Sequence, residues 1–133
     1  YNPEDRMLAN FAYYYGYDLP LVSIVVPIVR EEGFLRLMNS IKADTSYTNY
    51  EVIEMRGDGT AIEKFNKGVE QSKGKFIVFL ADDTEIVPGW LVQAYSCWKE
   101  HFKDKGLVVL NDGYWGDRCC THFFCSKNIM EEL

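Results

Sequence analysis

The chain is predicted to be an α/β domain with a mostly parallel central sheet and helices on both faces. Three observations lead there. Residues 76–80, Phe-Ile-Val-Phe-Leu, form an unbroken apolar run, as expected of a strand buried on both faces of a parallel sheet. Two further β-rich runs, Val-Ser-Ile-Val-Val from Val22 and Glu-Val-Ile-Glu-Met from Glu51, precede it. Between these runs, apolar residues recur at three- and four-residue steps, so strands alternate with helices and right-handed crossovers follow.

The elements follow in order. Met7, Leu8, Phe11, Ala12 and Tyr15 lie at helical spacing, which predicts a helical extension over residues 1–20 covering one side of a domain at 21–133. Residues 21–26 make the first strand, closed by Pro27, and Phe34, Leu37, Met38 and Ile41 mark the first core helix. Residues 51–55 are the second strand, followed by the turn Gly57-Asp58-Gly59. Thr60 and Glu63 have capping-box spacing, opening a helix whose buried stripe is expected at Ile62, Phe65 and Val69. Gly74 ends that connection and residues 76–80 form the third strand. Pro88 suits a first helical turn, after which Leu91, Ala94, Tyr95, Trp98 and Phe102 line one helix face. Residues 107–110 and 122–125 finish the sheet as two more strands.

Composition narrows the function. At 133 residues, with 47% hydrophobic and 15% aromatic content, the chain is one globular domain and not a disordered segment. It begins at Tyr1 and is read as a trimmed piece of something longer. No apolar run approaches the ~20 residues that cross a bilayer, so no transmembrane segment is expected. Fourteen basic against 20 acidic residues give a net charge of −6, without the basic stripe of a nucleic-acid binder. Cys119, Cys120, His122 and Cys125 have a spacing that invites zinc, but strand alternation sets His122 on the face opposite Cys119 and Cys125. Together with Cys97 these cysteines read as reduced thiols of a cytoplasmic protein.

The chemistry gathers where strands end. Asp82 and Asp83 follow the third strand almost directly, and ligands of open α/β sheets collect at the carboxyl ends of strands. Adjacent carboxylates there cost desolvation and ask for a counter-charge, naturally a divalent cation carrying a phosphorylated ligand. Pro27, Val29 and Arg30 follow the first strand and Asp58 the second, so one crevice collects all of them. A phospho-acceptor receiver domain also groups acids at strand ends, but it needs its acid pair after the first strand, where this chain has Pro-Ile-Val-Arg.

The segment FNKGVEQSKGKFIVFLADDTEIVPGWL, residues 65–91, together with VSIVVP and EVIEMRGDGT, resembles the nucleotide-binding half of family 2 glycosyltransferases of the GT-A fold. Asn66, Gly68, Gly74, the paired acids, Pro88 and Trp90 keep that family's residue types and spacing. The resemblance implies a nucleotide-sugar donor, UDP-linked or similar, lying across the strand ends, and transfer with inversion to a glycan or lipid acceptor. It implies donor contacts from Pro27, Val29, Arg30, Asp58, Asn66 and Asp82. It also implies a Mn2+ or Mg2+ ion held by Asp83, with His122 as a further ligand.

The chain departs from the family pattern in four places. Ala81 stands at the first acid of the D-x-D motif, and Val29 and Arg30 stand where an aromatic and an Asn are usual. Arg56 or Gly57 falls where the second strand's acid is common. The chain ends just after THFFCSKNIMEEL, the stretch that precedes the family's catalytic base. Glu131 and Glu132 come too early to match it, so no catalytic residue is assigned and the family match is short at its C-terminus.

Several residues keep two readings. Asp58 also suits local hydrogen bonding in its turn, and Asp82 suits the dipole of a following helix. Asn66 also suits a helix or turn contact, His122 suits packing, and Lys64 and Arg30 suit solvated charges as well as phosphate neutralisation. Asp112, Trp115 and Asp117 lie in a loop at 111–118 that faces either an acceptor or solvent. The alternative to an enzyme is a nucleotide-sugar-binding module without turnover.

Overall fold

In the computed structural model the described residues are 19–45, 47–101, 107–109 and 122–132. They form five strands, β1 (Val22–Pro27), β2 (Tyr50–Met55), β3 (Phe76–Phe79), β4 (Leu107–Val109) and β5 (Phe123–Ser126). Four helices accompany them: α1 (Glu31–Asp44), α2 (Ala61–Gln71), α3 (Trp90–His101) and α4 (Lys127–Glu132). The predicted extension up to residue 18, Phe102, Leu110, the loop at 111–118, Cys119 and Cys120 lie outside the described residues. Cys97 is an exposed free thiol, and Cys125 is buried.

The strands form a single sheet in the order β2-β1-β3-β5-β4. β1 pairs in parallel with β2 and β3, whereas β5 runs antiparallel to β3 and to β4. The sheet is therefore mixed, with β5 reversed against the common direction of the other four. Its pleat splits β1 between two cores. Val22, Ile24 and Val26 face a cluster with Phe34, Leu37 and Ile41 of α1 and Leu91, Ala94 and Trp98 of α3. Val25 faces the other side, with Met55, Phe65 and Ile77. Helices thus cover both faces, which is why these strands read as continuous apolar runs instead of alternating ones.

One expected stripe is rotated. Ile62 is 71% exposed, and the face that α2 turns to the sheet carries Lys64, Phe65 and Gly68. Gly68 explains the shift. A Cβ there would stand 2.4 Å from Val25 Cγ1 and 3.1 Å from Met55 Cγ, so the helix backbone lies directly on the strands.

The opposite edge of the sheet is pinned by polar contacts. Glu51 Oε1 accepts hydrogen bonds from Ser23 Oγ at 2.7 Å and the Lys73 N–H at 2.9 Å, and Ser23 Oγ accepts one from the Gly74 N–H at 2.8 Å. Burial pushes the Glu51 carboxyl up, but the Lys73 N–H, the Ser23 hydroxyl and the charges of Lys73 and Lys127 outweigh it and hold it below its ordinary value of 4.5.

Two outcomes follow from this packing. Gly68→Ala gains helix propensity of about 1 kcal/mol yet drives a methyl into the fully buried Val25, so urea denaturation should show a net loss of about 1–3 kcal/mol. Because the folded carboxyl of Glu51 is depressed, its contribution is complete above pH 4.5 and fades as pH falls through the folded value. Melting temperatures followed from neutral pH into acid should fall less steeply for Glu51→Gln than for the parent chain.

Candidate functional site

The parallel run of β2, β1 and β3 brings Pro27, Met55 and Phe79 out at one edge. The reversed β5 enters from that same edge, its Phe123 in register with Phe79. His122 therefore arrives beside the exit of β3, although it lies some forty positions further along the chain. Three strand exits and the entry of β5 meet at this edge.

The exit of β3 turns tightly, with the Thr84 N–H donating to the Ala81 carbonyl at 3.2 Å. This turn presents the two acids differently. Asp82 is half-buried, and its Oδ2 accepts hydrogen bonds from both the Val29 and Arg30 N–H groups, each at 2.7 Å. Its carboxylate thereby ties the β3 exit to the β1 exit, just before α1. The Arg30 side chain makes no capping bond to its own helix. Gly33 closes the same joint, since a Cβ there would lie 3.0 Å from the Asp82 carbonyl oxygen.

Asp83 is exposed and lines a cleft of about 390 Å³ with Gly33, Arg36, Ser40, Thr84, Glu85 and Ile86. His122 reaches this loop through Thr84, whose Oγ1 is hydrogen-bonded to His122 Nε2 at 3.0 Å. Among the described residues, no three His, Cys, Asp or Glu side chains gather as a cation cage. What the loop offers a cation is the exposed carboxylates of Asp83 and Glu85, with Asp82 and the His122 imidazole beside them engaged in hydrogen bonds.

The β2 side is organised by a turn and one cation, Arg56. Gly57 and Gly59 have φ of +102° and +118°, a region that L side chains avoid, and they hold the exposed Asp58 between them. Thr60 Oγ1 accepts from the Glu63 N–H at 3.1 Å, so Thr60 is the N-cap that its spacing predicts.

Arg56 pairs with Glu31, its Nη2 standing 3.0 Å from Oε2, and with Glu54 Oε1 at 3.1 Å. Its guanidinium also sits 5.3 Å from the centroid of the Phe34 ring. The hydrogen bond from Arg56 holds the Glu31 carboxyl below its usual range, and the same pair raises the Arg56 pKa. Pro27 is buried, whereas Val29, Arg30 and Asn66 are exposed.

The structure thus brings Pro27, Val29, Arg30, Asp82, Asp83 and His122 to one edge, with Asp58 at the neighbouring exit. Asn66 stands apart from the strand exits, in the middle of α2. Sequence reasoning left Lys64 between a solvated charge and a phosphate partner, whereas it is only 7% exposed and donates from Nζ to the Ile28 carbonyl at 3.1 Å. The solvated-charge reading of this residue is corrected. Its signal was available in the i, i+4 spacing to Gly68, which puts both on the sheet-facing stripe.

No family model and no curated protein sequence matches the chain. Solved structures do resemble it. S. aureus TarS (residues 1–349) superposes with a TM-score of 0.60 at 14% identity, over 84% of this chain and 48% of its own. The UDP complex of the same protein gives 0.50 at 20% identity, over 68% and 35%. The mannosyltransferase PcManGT from Pyrobaculum calidifontis, in complex with GDP-Man and Mn2+, gives 0.65 at 10% identity, over 97% and 57%. The chain thus spans about half the length of these neighbours. At such identities the likeness is one of fold, and the fold is the α/β GT-A fold of these glycosyltransferases.

Proposed function

We propose that this chain is the nucleotide-sugar-binding core of a metal-dependent, family 2-like glycosyltransferase that transfers a sugar, with inversion, from a nucleoside-diphosphate donor to a glycan or lipid acceptor. The observation that carries the reading is the joint at the carboxyl edge. Asp82 holds the β1 exit with two hydrogen bonds of 2.7 Å, while the adjacent Asp83 is exposed. Neighbours of the same fold were solved with UDP and with GDP-Man and Mn2+, which supports a nucleotide diphosphate as the ligand of this edge.

The residues present suit a cation that the ligand shares. Mg2+-like ions take one or two carboxylates and fill the remaining positions with phosphate oxygens and water, so Asp83 is sufficient as the protein's anchor. When bound, such an ion supplies Lewis acidity to a departing diphosphate. Asp82 sets the height of the β1–α1 loop, on which Val29 and Arg30 meet the donor above Pro27. Asp58, carried outward by its turn, accepts a hydrogen bond from the base or the ribose. Asn66 and His122 act through the elements they lie on, His122 by way of Thr84.

A binding module without turnover is the second reading, and Ala81 at the first acid of the D-x-D pattern favours it. Incubating the chain with UDP- and GDP-sugars and Mn2+ separates the two, since release of free sugar marks the enzyme. For the site itself, Asp83→Ala should weaken Mn2+-dependent UDP or GDP binding by about tenfold or more in calorimetry, while affinity without metal changes little. Unchanged metal-dependent affinity in that variant would sink the assignment.

A further inference from the structure

A buried ammonium needs partners for three N–H groups and a negative group to offset its desolvation. Lys64 has one acceptor, the Ile28 carbonyl at 3.1 Å, and among the described residues the ion pairs are those of Arg56 with Glu31 and Glu54. Nothing among those residues neutralises the buried charge. Its position matters, because Ile28 lies just past the end of β1 and its N–H bonds to the Met55 carbonyl at the end of β2. The ammonium therefore lies at the rim of the sheet, over the β1–β2 side.

Val29 directly follows Ile28 and is 75% exposed, so an apolar side chain stands at the same strand exit that holds the ammonium. An exposed apolar side chain and a cationic donor at one exit complement a flat ring with an acceptor on its edge.

We propose that Lys64 selects the nucleobase of the donor by hydrogen-bonding an exocyclic ring oxygen, so that oxo bases are accepted and their amino counterparts rejected. This deepens the functional reading above and rests on it. A diphosphate anchored at Asp83, beyond β3, carries its nucleoside back across β1 toward β2, where the ammonium stands. An oxo group offers lone pairs to the unused N–H groups of Lys64. An amino group at the same ring position offers hydrogens, leaving two donors opposed and the buried cation unmatched.

The test uses nucleotide pairs that differ at this position: UDP against CDP, and IDP against ADP, each titrated in Mn2+ by calorimetry. In the unaltered chain the oxo member of at least one pair should bind about tenfold or more tightly. Lys64→Met keeps an unbranched apolar stem and removes the charge, and it should bring that ratio close to one. Equal affinities within both pairs in the unaltered chain would overturn the proposal without needing any variant. A folded Lys64→Met protein that keeps the ratio would also overturn it and make Lys64 a tether between α2 and β1. If Asp83→Ala leaves Mn2+-dependent binding intact, or no nucleotide binds the unaltered chain, the parent reading fails instead.

Discussion

The carboxylate of Asp82 is the contact on which the ligand edge depends. Three parallel strands deliver three loops to one side of the sheet, but a parallel sheet does not by itself fix the height of each loop over its strand. Here one oxygen accepts two backbone N–H groups at 2.7 Å, across more than fifty residues of chain. Charge-assisted bonds of this length are the stronger kind. They also occupy donors that would otherwise need solvent or a ligand. The acid that sequence reasoning assigned to the donor is thus anchored in the protein, and its neighbour is left to face outward. Adjacent carboxylates of one sign avoid competing for one cation when the first already has a partner of its own.

Close packing on the second face sets where the buried lysine can stand. Gly68 lets α2 rest on Val25 and Met55 with no side chain between. One turn earlier on the same stripe, the helix overhangs the end of β1, and a residue there must span the step between helix and strand exit. A long aliphatic stem with a polar tip does this well. The stem of Lys64 covers apolar surface and the ammonium reaches the Ile28 carbonyl. A shorter side chain would leave a gap, and an aliphatic one of equal reach would leave that carbonyl without this donor.

Much of this was legible because local physics was enough. The apolar run from Phe76, the steps of Phe34, Leu37 and Ile41, and the Thr60–Glu63 spacing each report their own element, and each element stands where its pattern set it. Direction was not legible for β5. Phe-Phe-Cys-Ser reads identically whether the strand runs up or down, and its antiparallel pairing with β3 depends on a connection that carries no periodic signal. Partners were not legible either. Nothing in the local sequence of Asp82 reveals that Val29 and Arg30 lie opposite, and Ile62 looks like a core residue until Gly68 fixes the roll of the helix. Patterns of spacing disclose which face of an element is apolar, whereas contacts between distant loops require the topology first.

Charge links these features to metal use. A chain of net charge −6 does not attract a nucleoside diphosphate at long range, and physiological salt screens such fields beyond about 8 Å. Binding must therefore come from groups within the crevice. Arg56, the cation at the end of β2, is already shared between Glu31 and Glu54, and Lys64 is held over the β1–β2 side at Ile28. The exposed Arg30 contributes a single charge in high dielectric, worth little by itself. Beside Asp83 the cleft carries one cation, Arg36, against the two carboxylates of Asp83 and Glu85, so a diphosphate there would meet a net negative lining. A divalent cation between Asp83 and the diphosphate would turn that repulsion into two attractions, which is the electrostatic argument for the proposed metal use.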